Sequence, residues 1–560
     1  MINLIIFIIS FYLILLSVIG YGILFQNLCL QKLDSLNNSK SIYLGFYGLF
    51  FITLISLITS LFIPHNFFHN ILIHSLGIIF LIFIKVRDKK NYLKFISLIS
   101  VLLFSALLIS KGHDDLSYYH LPFTKYLTEQ KIIFGMGHLN HGYNLLSSLF
   151  FLNSTFYLPL IEYYSFHFSA LFFLIFFNFF ILKEIFFNKN HETVNFLYLF
   201  SFSYFNLSFN RIAEYGTDKA GQLLIVILII KLFAIISFNK KKIENILYLI
   251  PLLAFCISLK TYFIPYLLLG LILFFLDKKL FKNLKIIFLS KSFVFFFLSL
   301  VIYFFHHFIS TGCFISPLAF TCFGDNVFWA RDVNHIKGLA VWLEQWSKAG
   351  AGPNFRVDNL MEYIKGINWV GNWIEKYFLE KFLDQLAILF FSFILIFVIF
   401  KKFELKKIKS ILDKRILYFY SIILIIFFIW FFNHPTLRYG GYPIVFLTLS
   451  IPITFLFFVC SNKKYIERKF KFFVLFIIIL FNLKNINRID NEFNRNDMFK
   501  FVNFPFYTIK EKEYKKNEFD SGLIIYSAHH CWSTPTPCGH VDEKTRVYKK
   551  NGYFFINKLN

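Results

Sequence analysis

The sequence predicts an all-α protein that crosses a membrane many times. Apolar runs of about twenty residues, the length that spans a bilayer, recur along the whole chain. The 560 residues are 57% hydrophobic, include 83 Phe and have a mean hydropathy of +0.61. The alternating ten-residue segments typical of membrane barrels are missing from the sequence. Because each span must satisfy its own backbone hydrogen bonds, the spans are predicted to be helices.

The positive charge of the chain predicts its orientation in the membrane rather than a nucleic-acid partner. The net charge is +25, and the basic residues fall in short clusters between apolar runs, such as "KVRDKKNY", "NKKKIEN" and "KKFELKKIKSILDKR". This is the positive-inside pattern of loops on the cytoplasmic side. The first apolar run, 2–25, has no basic segment before it and is long enough to span, so no cleavable signal peptide is predicted.

Placing every basic cluster on the cytoplasmic side leaves one topology of about fourteen spans, with both termini outside. The apolar stretch 245–276 is interrupted at "SLKTYF" and is predicted to form two short, broken helices. The predicted spans are 2–25, 43–63, 67–86, 93–110, 161–182, 193–209, 220–237, 245–259, 262–276, 286–306, 384–401, 416–432, 442–460 and 470–482.

The same topology places nearly all of the polar chain on the outer face. The outer segments are 111–159, 210–222, the turn at Lys260, the long loop 307–384, the segment 433–441 and the tail after 483. The chain divides into additional N-terminal helices (1–90), a membrane core (91–306), an extracytoplasmic loop (307–383), C-terminal helices (384–482) and an extracytoplasmic tail (483–560).

Four of the seven cysteines form two close pairs in outer segments, Cys313 with Cys322 and Cys531 with Cys538. Close pairs on an oxidising side predict two disulfides that close small loops. The alternative for the second pair is a metal site that also uses His529, His530 and His540.

The first candidate site is the acid pair Asp114 and Asp115 in "GHDDLSYYHLPFTKY", at the outer mouth of the fourth predicted span. Tyr119 and His120 follow within one or two helical turns. The stretch "LPFTKYLTEQKIIFG" after them has the spacing of an amphipathic helix that lies on the bilayer surface. The alternative is that the acids only flank a span on the side where basic residues are disfavoured.

Further candidates lie in the other outer segments. Glu214 and Asp218 are four residues apart and would share one face of a helix. Lys260 and Arg438 are basic residues on the outer side, against the charge rule, and suit a phosphate ligand; snorkelling is the alternative for both. His138 and His141 are metal-ligand candidates or members of a hydrogen-bonded turn. The outer loop also carries tryptophans that would stack on sugar rings or form an interfacial belt: Trp329, Trp342, Trp346, Trp369 and Trp373.

The order and sidedness of the acid motifs resemble the GT-C superfamily, polytopic glycosyltransferases that use polyprenyl-phosphate-linked sugars. A closer resemblance is to uncharacterised bacterial membrane proteins regarded as glycosyltransferases, on three features: Asp115-x-x-x-Tyr119-His120, "GCFISPLAFTCF" and "CWSTPTPC". The resemblance covers most of the chain from Asp114 onward and implies a GT-C-like core over 91–306. One departure is that three spans precede the span that carries the first acid, so 1–90 is an addition to that core.

The resemblance implies inverting transfer of a hexose or pentose on the outer face of a bacterial cytoplasmic membrane. Asp115, with Asp114 as substitute, would be the general base, and Tyr119 and His120 would complete the catalytic motif. Glu214 and Asp218 would orient the acceptor or, with Asp115, hold a divalent cation such as Mg²⁺ or Mn²⁺. Arg438 and Lys260 would bind the donor phosphate. The partners implied are a polyprenyl-phosphate-linked donor, a glycan or lipid acceptor and the bilayer.

Three other functions remain open from the sequence. A transporter of lipid-linked glycans would need ionisable groups in mid-span, and the predicted spans have few. A polysaccharide polymerase or ligase would depend on outer arginines, of which the long loop has Arg331 and Arg356. A non-catalytic envelope component would use the acids only as polar flanks.

Overall fold

The structure, a computed structural model of the chain, describes residues 2–30, 35, 39–108, 114–188, 190–209, 217–238, 242–272, 280–352, 355–400, 414–456, 463–495 and 513–558. The structure is mostly helical, with 74% of its residues in helices. Nine helices within these residues are long and apolar enough to cross a membrane. The predicted class, a helical multi-pass membrane protein, is therefore confirmed.

The α-helices in chain order are α1 (Ile2–Phe25), α2 (Leu44–Thr59), α3 (Phe67–Phe83), α4 (Lys89–Leu103), α5 (Leu121–Glu129), α6 (Ser148–Ser154), α7 (Phe168–Phe186), α8 (Glu192–Ser208), α9 (Thr217–Phe238), α10 (Lys242–Leu247), α11 (Ile250–Leu259), α12 (Leu280–Phe288), α13 (Lys291–Thr311), α14 (Val333–Ser347), α15 (Leu360–Ile364), α16 (Val370–Trp373), α17 (Leu383–Ile399), α18 (Lys414–Asn433), α19 (Tyr442–Leu456) and α20 (Lys463–Arg495). Short antiparallel hairpins pair β1 (Ala351–Gly352) with β2 (Phe355–Arg356), β3 (Lys515–Glu518) with β4 (Ile524–Ser527), and β5 (Thr545–Lys550) with β6 (Tyr553–Lys558).

Each of the predicted spans contains a helix, but several of these helices are too short to count as spans by length and composition. Phe67–Phe83, Ile243–Leu259 and Thr261–Ile272 are apolar helices of this shorter kind. The figure of about fourteen spans therefore stays a prediction. The last helix, α20, is longer than expected: it continues to Arg495, past the predicted end of the span at 482.

The predicted break between two short helices lies at Lys260. Helix α11 ends at Leu259, Lys260 has extended backbone angles, and a 3₁₀-helix begins at Thr261 and runs to Ile272. Such irregular backbone is tolerated at membrane depth when other helices surround it. The break turns the Lys260 side chain towards the end of the bundle where the outer segments meet.

Helix α7 lies at the centre of the bundle. Every residue of α7 from Phe168 to Ile185 is buried, as expected for a helix that is hydrophobic on all sides. Phe7 of α1 and Phe46 of α2 pack against its Phe168 and Phe176. The N-terminal helices therefore share one hydrophobic core with the helices that follow.

Close helix contacts in the N-terminal part depend on glycine. A Cβ on Gly20 of α1 would lie 1.8 Å from the carbonyl oxygen of Gly77 in α3. A Cβ on Gly48 of α2 would lie 1.8 Å from the carbonyl oxygen of Val18. Small residues at such crossings let backbones approach, which is a common way of packing membrane helices.

The predicted surface helix after the acid pair is buried instead. Helix α5 is short, and every residue from Leu121 to Thr128 is buried. The expectation of an amphipathic helix lying on the bilayer surface is therefore wrong. Its polar side is covered by the C-terminal tail: Lys125 Nζ donates to the Thr534 carbonyl at 3.1 Å, and Gln130 Nε2 donates to the Thr536 carbonyl at 3.0 Å.

The C-terminal tail forms two hairpins and a disulfide loop that pack on the outer segment 114–159. Backbone hydrogen bonds join Phe134 to both Phe554 and Ile556, and the His540 N–H donates to the Leu139 carbonyl at 2.7 Å. The topology derived from charge assigns these two segments to the same side of the membrane, and the structure places them in contact.

Candidate functional site

The candidate site begins at a widened helical turn. Asp114 and Asp115 start a helix that continues as a single π-helical turn, Leu116–His120, before α5. Single π-turns are frequent at functional sites because they re-aim side chains. Asp114 is exposed, whereas the Asp115 side chain is 24% exposed and points into the bundle end.

Arg438 joins the two acidic motifs. Its Nη2 donates to Asp115 Oδ2 at 2.6 Å, and its Nε donates to Asp218 Oδ2 at 3.1 Å. A planar guanidinium suits this bridging role because its donors point along fixed directions. The two carboxylates are separated by about a hundred residues of chain but are held by one side chain.

Lys260 completes the cluster from the break after α11. Its Nζ lies 3.0 Å from Asp218 Oδ1, so Asp218 contacts both cations. The four side chains are between 15% and 27% exposed. Two carboxylates and two cations give the cluster a net charge of zero, which is the usual condition for ionised groups that are partly withdrawn from water.

The burial of the cluster has consequences for its neighbours. Burial alone would lower the pKa of Arg438, but the Asp218 and Asp115 carboxylates raise it well above its ordinary value. Burial lowers the pKa of His120 to about 4, and the Asp115 carboxylate offsets this only in part. Burial, with a contribution from Asp115, raises the pKa of the Tyr119 phenol well above its usual range. His120 and Tyr119 are therefore neutral at pH 7.

The turn that carries Arg438 is fixed by side chains the sequence analysis did not single out. Tyr262 donates its hydroxyl hydrogen to the Arg438 carbonyl at 2.8 Å, and Gln222 Nε2 donates to the same oxygen at 3.1 Å. Gly440 has φ +83° and packs under the Tyr262 ring. The sequence signal that could have found these two residues is their closeness to predicted site residues. Tyr262 lies two residues after Lys260, and Gln222 lies one helical turn after Asp218.

An apolar cavity of about 410 Å³ opens beside the cluster. Tyr262, Tyr439 and Gly440 line it at the end near Arg438. Its other walls are mainly apolar and come from the 3₁₀-helix, the outer-loop segment 315–318, α14, α18 and α19, with Pro265, Ile426, Ile429, Trp430 and Ile444 among the lining residues.

Several predicted site residues lie elsewhere. Glu214 falls outside the described residues. His138 belongs to a hydrogen-bonded turn and has its Nε2 on the Trp329 carbonyl. His141 lies in the next turn, where burial lowers the pKa of its ring and the Asp115 carboxylate offsets this in part. Trp369 and Trp373 are 0% and 5% exposed, so the sugar-stacking interpretation is wrong for these two. They pack in the bundle, where Trp373 donates its indole N–H to the Pro435 carbonyl at 2.9 Å.

Both predicted disulfides are present, Cys313–Cys322 and Cys531–Cys538. Since the second bridge uses both thiols, the alternative metal site at Cys531 and Cys538 is wrong. Arg438 contacts both Asp115 and Asp218, and Glu214, the third predicted ligand, lies outside the described residues, so the divalent-cation site stays a prediction. Within the described part of the chain, no group of three or more His, Cys, Asp or Glu side chains is arranged to hold a metal ion.

The fold and the cluster define a polytopic helical membrane protein with a partly buried ionic site at one end of its bundle. Residues 4–445 match a family described as a domain of unknown function (DUF8201), which covers most of the chain. The protein belongs to this family. No curated protein and no solved structure matches it.

Proposed function

We propose that the protein is a membrane glycosyltransferase that moves a sugar from a polyprenyl-phosphate-linked donor to an envelope glycan or lipid acceptor. The observation that carries the proposal is the bridge from Arg438 to Asp115 and Asp218 beside an apolar cavity. A lipid-linked phosphate has two parts, a charged head and an apolar chain, and the site offers a matching surface for each.

The donor phosphate would bind to Arg438 and Lys260. These cations are paired with carboxylates in the protein alone, so the phosphate competes for them. Charge-assisted hydrogen bonds from Arg to phosphate oxygens are among the strongest available. The first isoprene units of the donor would then lie in the cavity that starts at Tyr262 and Tyr439.

The exchange of partners on Arg438 would prepare the base. When the phosphate engages Arg438, the Asp115 carboxylate gives up its 2.6 Å contact with Nη2 and its basicity rises, so that it can accept a proton. Asp218, which contacts both cations, would hold them in place rather than orient the acceptor. This reassigns the role that the sequence suggested for Asp218.

The chemical step is a single displacement at the anomeric carbon. The acceptor hydroxyl oxygen forms the new bond to that carbon while its proton passes to Asp115. The bond from the anomeric carbon to the phosphate oxygen breaks, and its electron pair leaves with the polyprenyl phosphate. General-base help of this kind contributes about 10²–10⁴-fold to the rate, and Arg438 and Lys260 stabilise the charge that develops on the leaving oxygen.

The test is complementation of a strain that lacks this gene, with the envelope glycans and lipid-linked carriers profiled by mass spectrometry. The strain is expected to accumulate an acceptor that is one sugar short. Wild type and Asp114→Asn restore the profile, because Asp114 is exposed and outside the cluster. Asp115→Asn keeps the size of the side chain, and transfer is expected to fall about 10²–10⁴-fold.

The outcomes separate the proposal from its rivals. A change in glycan chain length without a missing sugar would indicate a polymerase or ligase. Accumulation of a complete lipid-linked glycan would indicate a transporter. If Asp115→Asn protein is present in the membrane at wild-type level and the glycan profile is fully restored, the enzyme proposal fails.

A further inference from the structure

A second cavity lies at the seam between the long outer loop and the C-terminal tail. We call it the seam cavity; its volume is about 490 Å³. Its charged and polar lining residues are His138, Arg331, Asp332, His335, Lys544 and Lys558. Three separate stretches of the chain build it: the segment that carries His138, residues 324–335 leading into α14, and the β5–β6 hairpin with Lys544 just before it. None of the residues of the Arg438 cluster lines it.

The central residue of the seam cavity is an arginine held by histidines. Arg331 Nη1 donates to His138 Nδ1 at 3.1 Å, and its Nη2 donates to His335 Nε2. The Nε of Arg331 is buried and has no hydrogen-bond acceptor among the described residues. No described carboxylate lies at ion-pair distance from Arg331, in contrast to the two that neutralise Arg438.

The histidines hold the guanidinium without adding or cancelling charge. His138 Nε2 donates to the Trp329 carbonyl at 3.1 Å, so its Nδ1 is the acceptor for Arg331. Burial, with a contribution from the Arg331 charge, lowers the pKa of His138 to about 3. His138 is therefore neutral, and the positive charge of Arg331 stays available on the cavity wall.

With Arg331 included, the charged groups at the cavity, namely Arg331, Lys544 and Lys558 against Asp332 and Asp542, leave one net positive charge. Lys544 is exposed at the rim. Lys558 Nζ lies 2.7 Å from Asp542 Oδ2, so that lysine is partly neutralised. Among the described lining residues, Asp332 is the one with a carboxylate. It is the N-cap of α14 and accepts a hydrogen bond from the Asn334 backbone N–H at 2.6 Å.

One wall is aromatic. Phe328 lines the cavity, is 45% exposed and packs its ring 5.1 Å from the ring of Phe555. A flat, half-exposed ring beside cationic groups matches a sugar that has an apolar face and an acidic substituent.

Helix α14 connects the seam cavity with the Asp115 turn. His335 lies in its first turn, and Trp342 follows two turns later, about 10 Å along the axis. Trp342 packs edge-on against His141, whose Nδ1 is 3.1 Å from the Tyr118 hydroxyl. Tyr118 is in the same π-helical turn that follows Asp115.

We propose that the seam cavity is an acceptor subsite that binds an acidic sugar, with its carboxylate or phosphate on Arg331 and Lys544 and its ring against Phe328. The role of the cavity as an acceptor subsite rests on the proposed function, because α14 leads from the cavity towards the turn that carries the proposed base. Binding of the acidic sugar itself rests only on the cavity.

The experiment is isothermal titration calorimetry on the full chain in detergent with small probes. Glucuronate and glucose 6-phosphate represent the two acidic substituents, and glucose and inorganic phosphate are the matched controls. At least one acidic sugar is expected to bind saturably and more tightly than both controls. If glucose binds as tightly as the acidic sugars, the claim that the site recognises an anion is overturned. If inorganic phosphate binds as tightly, the claim that it recognises a sugar is overturned.

Variants locate the binding. Lys544→Gln changes an exposed rim residue and is expected to weaken binding about threefold to tenfold, and Arg331→Gln more than tenfold. The control is Lys550→Gln, which removes the same charge from an exposed position of the same hairpin that does not line the cavity. If Lys544→Gln and Lys550→Gln bind alike, the seam cavity is not the site.

The two proposals fail independently. Asp115→Asn protein is expected to bind the acidic sugar as wild type does, because Asp115 does not line the seam cavity. Unaltered glycans in the Asp115→Asn strain, together with normal binding, would overturn the enzyme and leave the acidic-sugar site. Normal transfer without any binding of acidic sugars would overturn only the subsite.

Discussion

At the scale of single residues, the main finding is that one arginine makes two remote acid motifs into one site. Asp115 and Asp218 contact different nitrogens of Arg438, at 2.6 and 3.1 Å. Asp114, the neighbour of Asp115, is exposed and contacts neither Arg438 nor Lys260 in the described part of the chain. The sequence alone favours Asp115 over Asp114 as the site residue, and in the structure it is Asp115 that contacts Arg438.

The bridge predicts that charge alone will not replace Arg438. Lysine carries its charge on a single nitrogen and does not reproduce the two separate, coplanar donors that Nε and Nη2 supply. We expect Arg438→Lys to lower transfer at least about tenfold and to lower the free energy of unfolding by only about 1 kcal/mol, since the site is partly exposed. Arg356→Lys in the exposed strand β2 is the control and should leave both quantities unchanged. Wild-type transfer by Arg438→Lys would show that the fork geometry is not needed.

His120 predicts an acid sensitivity of the folded protein. Its pKa of about 4 in the folded state lies below the ordinary value of 6.5. The folded state therefore favours the neutral ring, and this stabilisation is complete above pH 6.5 and is lost as the pH falls towards 4. At pH 5 the loss is about 2 kcal/mol.

The measurement is the midpoint of thermal unfolding in detergent at pH 7 and pH 5. The drop in midpoint should be smaller in His120→Gln than in wild type, whereas the exposed His540→Gln should keep the wild-type drop. An equal drop in all three proteins would contradict the assignment to His120.

At the scale of elements, the C-terminal tail acts as a cover for the turn that carries Asp115. The backbone N–H of Trp532 donates to the Ser117 carbonyl at 2.9 Å, and His530 Nδ1 lies 3.0 Å from the Ser117 hydroxyl. The disulfide Cys531–Cys538 closes the loop that makes these contacts. The amphipathic pattern of α5 therefore reflects a polar side that meets the tail, not the bilayer surface.

Docking of the tail depends on Gly135. Its φ is +77°, and a Cβ there would lie 2.0 Å from the Ile556 carbonyl oxygen of β6. Gly135→Ala is expected to displace β6 and to make the tail more sensitive to limited proteolysis. The control is Gly338→Ala in α14, where a Cβ meets open space; there we expect a gain of about 0.5–1 kcal/mol in the free energy of unfolding. Equal proteolysis of Gly135→Ala and wild type would contradict this role of β6.

At the scale of the whole molecule, the segments assigned to one side by charge meet at one end of the bundle. The contacts of Asp115, Asp218, Lys260 and Arg438 join four of these segments, and the tail joins them through Phe134. Loops assigned to the other side also meet each other, as Ser35 Oγ donates to Asp88 Oδ2 at 2.5 Å. Which side faces the cytoplasm follows from the positive-inside rule alone.

Cysteine labelling tests that orientation. In a background with Cys29, Cys256 and Cys460 replaced by serine, Asp114→Cys and Lys550→Cys should react with a membrane-impermeant maleimide in spheroplasts. Lys85→Cys, at an exposed position between α3 and α4, should react only after permeabilisation. The reverse pattern would invert the topology, and different labelling of positions 114 and 550 would contradict a shared side.

The sequence by itself determined the class of the protein, the position of the helix break at Lys260 and the cysteine pairs, and it singled out the four ionisable residues Asp115, Asp218, Lys260 and Arg438. The length of apolar runs, the position of basic clusters between them and the spacing of cysteines are local properties, so they can be read along the chain. Only the tertiary structure decided that Arg438 bridges Asp115 and Asp218, that Trp369 and Trp373 are core residues, and that the tail covers α5. These facts depend on which residues become neighbours when distant segments pack at one end of the bundle, and neither hydropathy nor spacing contains that information.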